Sequence, residues 1–221
     1  MKLSIKLESD AKILSKITRA VQKKINRIDT DRLEQIFKES LRAALFASPT
    51  YSSLIDSGNP NSLAADFGFR QGQEKQRVDP IIEKIVESIS ISRKVNRRPK
   101  TIQTVFTVSG VPAGHNDILS MSEAFYFSNG NVIEWLDWIL IQGDSQIIEN
   151  YKVVSDNLTP EQSRQSRSRV AIMVEDSIGF SVRMEYRGNV KSNFIIDAIN
   201  QMSQDGTINK ALLEEIKKVG R

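Results

Sequence analysis

The apolar residues change period repeatedly along the chain, and that order limits the fold more than any other feature of the sequence. Leu3, Ile5 and Leu7 alternate with polar residues, the spacing of a short half-buried strand. Ser9 and Asp10 offer a helix cap, and Ile13, Ile17, Val21, Ile25 and Ile28 then recur at helical spacing. The opposite face carries Lys12, Lys16, Arg19, Lys23, Lys24 and Arg27, so this helix is amphipathic with a basic outer side. Asp29-Thr30-Asp31 interrupts it and caps a second helix with Leu33, Phe37, Leu41 and Leu45 inward. That helix stops before Pro49, because the residue before proline avoids the helical region. Residues 48–72 read as short helical turns, and Asp79-Pro80 as the start of a helix burying Ile81, Ile82, Ile85 and Ile89.

The period then shortens. Thr101 to Ser109 is rich in β-branched residues and reads as a strand. Ala124 to Phe127 and Ile147 to Val154 are further strand candidates, with Asn129-Gly130 as a turn. Arg169 to Val174 and Gly179 to Met184 are expected to pair as a hairpin around Asp176-Ser177. Between these, Val132 to Ile141 reads as a buried helix, with Trp135 and Trp138 near one face. Ser192 is expected to cap a helix through Met202, and a last helix runs from Ile208 to Val219. Helices, then strands, then helices argue for an α+β fold with a central, mostly antiparallel sheet packed on the tryptophan helix. A chain of 221 residues buries roughly 70% of its unfolded surface, so one domain over 1–221 is the expectation. Extended loops are expected at about 90–100 and 155–168, and a helical extension at about 206–221.

The residues needed for common chemistries are sparse. There is no cysteine, which excludes disulfides, thiolate metal sites and cysteine nucleophiles. A single histidine, His115, cannot build a multi-histidine metal site, and any Ser-His-Asp triad would have to pass through it. Phosphate-binding glycine loops and the Gly-x-Ser-x-Gly elbow are absent. Asp29/Asp31, Glu134/Asp137, Glu175/Asp176 and Glu214/Glu215 are near pairs of carboxylates, but none follows a metal-loop pattern. The expectation is therefore a non-enzymatic protein without cofactor or metal. No signal peptide is visible, and the longest apolar run is too short to span a bilayer, so no membrane partner is expected.

Two basic stretches are the candidate contact sites. Arg93, Lys94, Arg97, Arg98 and Lys100 fall within one segment lacking acidic residues, and Arg164, Arg167 and Arg169 punctuate another. One reading is contact with nucleic-acid phosphates or an acidic protein surface. The other is a solvated loop. No aromatic residue interleaves these charges in the sequence, which argues against a single-strand stacking platform.

Four stretches carry a resemblance: Ser48-Pro49-Thr50-Tyr51-Ser52-Ser53-Leu54, Ala65-Asp66-Phe67-Gly68-Phe69, and the run from Glu134 to Asp144 containing Trp135 and Trp138. The fourth runs from Ser166-Arg167-Ser168-Arg169 to Val174 and continues at Arg187-Gly188 and Asn193-Phe194-Ile195. In this order they resemble neck and tail-completion proteins, the head–tail connectors of tailed bacteriophages. The resemblance implies a structural virion protein at the head–tail junction, made in the host bacterial cytoplasm. It implies copies of the chain in a ring, hexamer or dodecamer, around the DNA channel. The implied neighbours are other neck, portal or tail-terminator proteins, with double-stranded DNA passing through. It implies no active site, and the glycines and asparagines of these stretches are then fold features. A nucleic-acid-binding module using the basic loops is the alternative, and an enzyme using dispersed carboxylates or His115 is the third reading.

Overall fold

The computed structural model describes residues 2–8, 12–98, 101–110, 116–128, 131–155 and 157–220. In chain order the elements are β1 (Lys2–Glu8), α1 (Lys12–Ile25), α2 (Thr30–Phe46), α3 (Pro49–Leu54), α4 (Leu63–Asp66) and α5 (Glu74–Glu87). A long hairpin, β2 (Ser90–Arg98) and β3 (Thr101–Ser109), precedes α6 (Asn116–Leu119), β4 (Tyr126–Ser128), β5 (Asn131–Ile133) and α7 (Trp135–Leu140). Then come β6 (Tyr151–Val154), α8 (Pro160–Gln165), β7 (Ile172–Glu175), a 3-10 turn (Met184–Tyr186), α9 (Phe194–Gln204) and α10 (Thr207–Gly220). All strand pairs are antiparallel, so the fold is α+β with a tryptophan-containing helix. No helix of the described residues is long and apolar enough to cross a membrane.

Where the length suggests one domain, the chain divides into two compact units. The first combines Met1–Leu41, Val86–Val111 and Gln201–Arg221; the second combines Arg42–Ile85 and Pro112–Asn200. Three of the four divisions fall inside α2, α5 and α9.

In the first unit β3 lies between β1 and β2. Its core packs Ile25, Ile28, Leu33, Phe106 and Leu212, with Val21, Ile91 and Ile216 against them. Leu212 and Ile216 belong to α10, so the expected C-terminal extension is part of this core. Glu215 on the same helix is buried and paired with Arg32 at 3.0 Å and Lys218 at 2.9 Å. The exposed loop expected at 90–100 is instead strand β2 over its described length, in register with β3 from Ser90↔Ser109 to Arg98↔Thr101. Pairing satisfies the backbone without demanding an apolar side-chain pattern, and charged residues suit an edge strand because they discourage further pairing.

The second unit is built around aromatic rings. Trp135 is fully buried, edge-on to Phe69 at 5.1 Å, and its indole N–H donates to the Glu123 carbonyl at 2.8 Å. Trp138 stands against Phe67 at 5.9 Å and Phe180 at 6.2 Å. α7 starts later than the sequence suggests, because Asn131–Ile133 is drawn into pairing with β4. The expected Asp176-Ser177 hairpin does not form: β7 pairs with β6, and Phe180 bridges to Ile148. The polar stretch 155–168 contains α8, held by a capping box in which Thr159 and Gln162 exchange bonds of 2.9 and 3.2 Å. Asn193, not Ser192, caps α9 by accepting from the N–H groups of Ile195 and Ile196.

Helix α5 begins at Glu74, and Pro80 lies inside it. A proline in a helix interior costs about 3 kcal/mol. The longer helix buries Val78 along with Ile81, Ile82 and Ile85, which offsets that cost. Asp79 accepts from the Tyr51 hydroxyl at 3.0 Å instead of capping. Asp29 does cap α2, accepting from the N–H groups of Asp31 and Arg32. His115, Lys100 and the Asn129-Gly130 turn lie outside the described residues.

Candidate anion-binding groove

The segment after α8 sets the site. In Ser166-Arg167-Ser168-Arg169 the serines turn inward: Ser168 is fully buried, its hydroxyl accepts from the Ala171 N–H at 3.2 Å, and it lies 3.2 Å from the Ser166 hydroxyl. Arg167 and Arg169 are thereby left exposed. Arg169 adopts a left-handed backbone, φ 63°, and its carbonyl accepts from Ser163 at 2.8 Å.

Two open cavities of the second unit meet here. One, of about 500 Å³, is lined by Arg70, Gln73, Glu74, Arg77, Glu123, Tyr126 and Arg167 among others. The other, of about 530 Å³, is lined by Arg70, Gln71, Arg164, Gln165, Arg167 and Arg169. They share Arg70 and Arg167 and so make one groove with five arginines. Among the described residues none of the five is ion-paired.

Several of these guanidinium groups are held in place. Arg77 donates to the carbonyls of Glu123 at 3.3 Å and Phe125 at 2.9 Å, and Arg167 donates to that of Phe127 at 3.0 Å. Both sit over the Tyr126 ring, at 5.3 and 5.0 Å from its centre. The Tyr126 hydroxyl donates to the Phe67 carbonyl. Burial pushes the Tyr126 phenol up to about 12, against the pull of the two arginines. Burial also lowers Arg77, opposed by Tyr126 and Glu123 and reinforced by Arg167.

The sequence candidates divide between the two units. Arg164 and Arg167 line the groove, and Arg164 also donates to the Pro160 carbonyl of its own helix at 3.1 Å. Arg93, Lys94, Arg97 and Arg98 lie on β2 in the first unit. Arg93 is no free contact residue: it donates to the carbonyls of Ile25, Asn26 and Ile28 at 2.9–3.3 Å, closing the end of α1. Lys94 is exposed. Arg70 and Arg77 complete the groove and carry no sequence signal, since they stand far from Arg167 along the chain. Of the carboxylate pairs, Asp137 is pushed up by burial and accepts from Gln142.

The architecture is thus an α+β chain of two units, one bearing an arginine-lined groove. Comparison with protein-family models, curated proteins and solved structures finds no match.

Proposed function

We propose that the chain is a non-enzymatic structural protein of the tailed-phage neck, assembling as a ring between the portal side and the tail. The observation that carries this reading is what happens to the four stretches that resemble connector proteins. Five of their polar and small residues, Ser48, Asp66, Gly143, Gly188 and Asn193, are taken up by packing and capping. Ser48 accepts from the Tyr51 N–H at 3.1 Å and caps α3. Asp66, buried, pairs with Arg183 at 2.7 Å. The Asn193 side chain caps α9 and donates to the Leu140 carbonyl at 3.3 Å. Gly143 donates to the Gly188 carbonyl at 3.0 Å, and a Cβ on Gly188 would lie 1.9 Å from the Ile139 carbonyl oxygen. Residues with these duties are fold determinants, which is what an assembly protein's recurring motifs would be.

Electron cryo-microscopy of intact virions tests the proposal. Density for a ring of this chain at the head–tail junction is expected; its absence from virions would sink the reading. The groove arginines favour a second reading, a nucleic-acid-binding module. That module would bind DNA in isolation with an affinity falling steeply with salt.

A further inference from the structure

Arginines that make no ion pair among the described residues do not by themselves name a ligand; their surroundings do. On β4, Tyr126 sits under Arg77 and Arg167, and the next residue, Phe127, is 66% exposed. Its cross-strand partner on β5, Val132, is 47% exposed. The pair forms an aromatic–aliphatic ridge, and the Phe127 carbonyl is the one Arg167 bonds. Arginine beside exposed aromatic and aliphatic side chains is the composition of a protein-interface core. A phosphate backbone would use the guanidinium groups and leave the ridge wet. The Tyr126 ring already carries two guanidinium groups, so it offers no free stacking platform for bases.

Glu74, bonded to the Ser57 hydroxyl, and Glu123 line the first cavity only, so the carboxylate-free lining is on the Arg164 and Arg169 side of the groove. Among the described residues, no lysine lines either cavity; arginine supplies a planar fork suited to carboxylates. Gln71, Gln73, Gln76 and Gln165 place amides in the same groove, each able to donate and accept as a peptide backbone requires. Carbonyl bonds restrain Arg77 and Arg167 before any ligand arrives, which lowers the entropy cost of binding.

We infer that the groove and the Phe127/Val132 ridge form one docking face for an acidic segment of a neighbouring protein, with carboxylates flanking an apolar side chain. The carboxylates would enter among Arg70, Arg164, Arg167 and Arg169, and the apolar residue would lie on the ridge. This deepens the assembly reading by naming the chemistry of a partner.

Fluorescence anisotropy on the full chain tests it with labelled synthetic probes. These are a glutamate-rich peptide with a central Leu-Phe pair, the same peptide with glutamine for glutamate, single-stranded oligothymidine and a short DNA duplex. The acidic peptide is expected to bind at low salt and the glutamine version not to. Arg167→Glu should weaken binding about tenfold, which is 1.4 kcal/mol. Phe127→Ser should weaken it by a similar factor. Lys191→Glu makes the same charge change outside the groove lining and should leave binding unchanged. Where Arg167→Glu does not melt as wild type, Arg164→Glu repeats the test. The inference is overturned if the acidic peptide does not bind. It is overturned equally if either DNA probe binds more tightly at equal salt, or if Lys191→Glu weakens binding as much as the groove variants. Peptide binding without a ring in virions would remove the neck assignment and keep the docking face; a ring without peptide binding would do the reverse.

Discussion

Both units tie some arginines into the fold, but the second also gathers a set around open space. In the first, Arg93 is tied to three backbone carbonyls at the end of α1, and Arg32 is paired with buried Glu215. In the second, Arg183 closes on buried Asp66, but Arg70, Arg77, Arg164, Arg167 and Arg169 gather around open space, and among the described residues none of them is ion-paired. A basic run in a sequence therefore says little until the fold assigns each charge its acceptors. The densest run, Arg93 to Lys100, includes a residue that fastens a helix end. The sparser set, joined by two distant arginines, makes the surface that could hold a partner.

The largest effect expected from breaking this contrast comes from the core beneath the groove. Trp135 is fully buried, contacts Phe67 and Phe69, and bonds the Glu123 carbonyl that also accepts from Arg77. Trp135→Ala should destabilise the second unit by about 3–5 kcal/mol. Hydrogen exchange reads the two units separately. Amides of β6 and β7 should lose protection, while those of β2 and β3 should keep more of theirs. Equal loss in both would mean that the units unfold as one.

A smaller effect separates the two kinds of arginine. Arg93→Ala removes a cation and its carbonyl bonds from a helix C-terminus, and a loss of about 1 kcal/mol is expected. Denaturant melts would show it as a lower midpoint with unchanged slope. The acidic-peptide affinity should not move. Arg164→Ala should give the reverse pattern: stability close to wild type and weaker peptide binding. If Arg93→Ala lowered peptide affinity and Arg164→Ala did not, the assignment of structural and contact arginines would be inverted.

The sequence carried the parts of this contrast that are local. Helical spacing located α1 and α2, and β-branched content located β3, because each depends on neighbours a few residues away. The α8 capping box was also present in Thr159-Pro160-Glu161-Gln162, a local signal that polarity concealed. What was not legible was long-range. β2 is a strand because β3 accepts it, and Lys94 and Arg93 give no hint of that. The hairpin expected around Asp176-Ser177 failed because β6, earlier in the chain, offered β7 the better edge. The first unit is assembled from three separated segments, so no linker composition marks its limits. The groove was half visible: Arg164, Arg167 and Arg169 are close in sequence, whereas Arg70, Arg77 and the aromatic ridge meet them only through the fold.

The smallest predicted effect is in pH dependence, where one carboxylate of each unit should respond with opposite sign. In the first, Glu34 is held below the ordinary carboxylate range, chiefly by the Lys38 ammonium at 2.7 Å and also by the Ile91 N–H at 2.9 Å. The unfolded chain then takes up the proton more readily than the folded one. The contribution of Glu34 is complete above the unfolded value and is lost as pH falls through the folded value. For a partly exposed pair it should stay below about 1 kcal/mol. In the second unit burial raises Asp66, although the Arg183 guanidinium pulls it down. There the folded chain binds the proton more readily, so that contribution is complete below the unfolded value and is lost as pH rises through the folded one. Acid titration followed by NMR should move the Ile91 amide with an apparent value below that of an ordinary glutamate, and Glu34→Gln should abolish the shift. The Asp66 carboxyl should titrate above an ordinary aspartate, and replacing Arg183 by Met should raise it further. An Asp66 value below the ordinary range would mean that the ion pair outweighs burial and that Asp66, like Glu34, loses its contribution in acid.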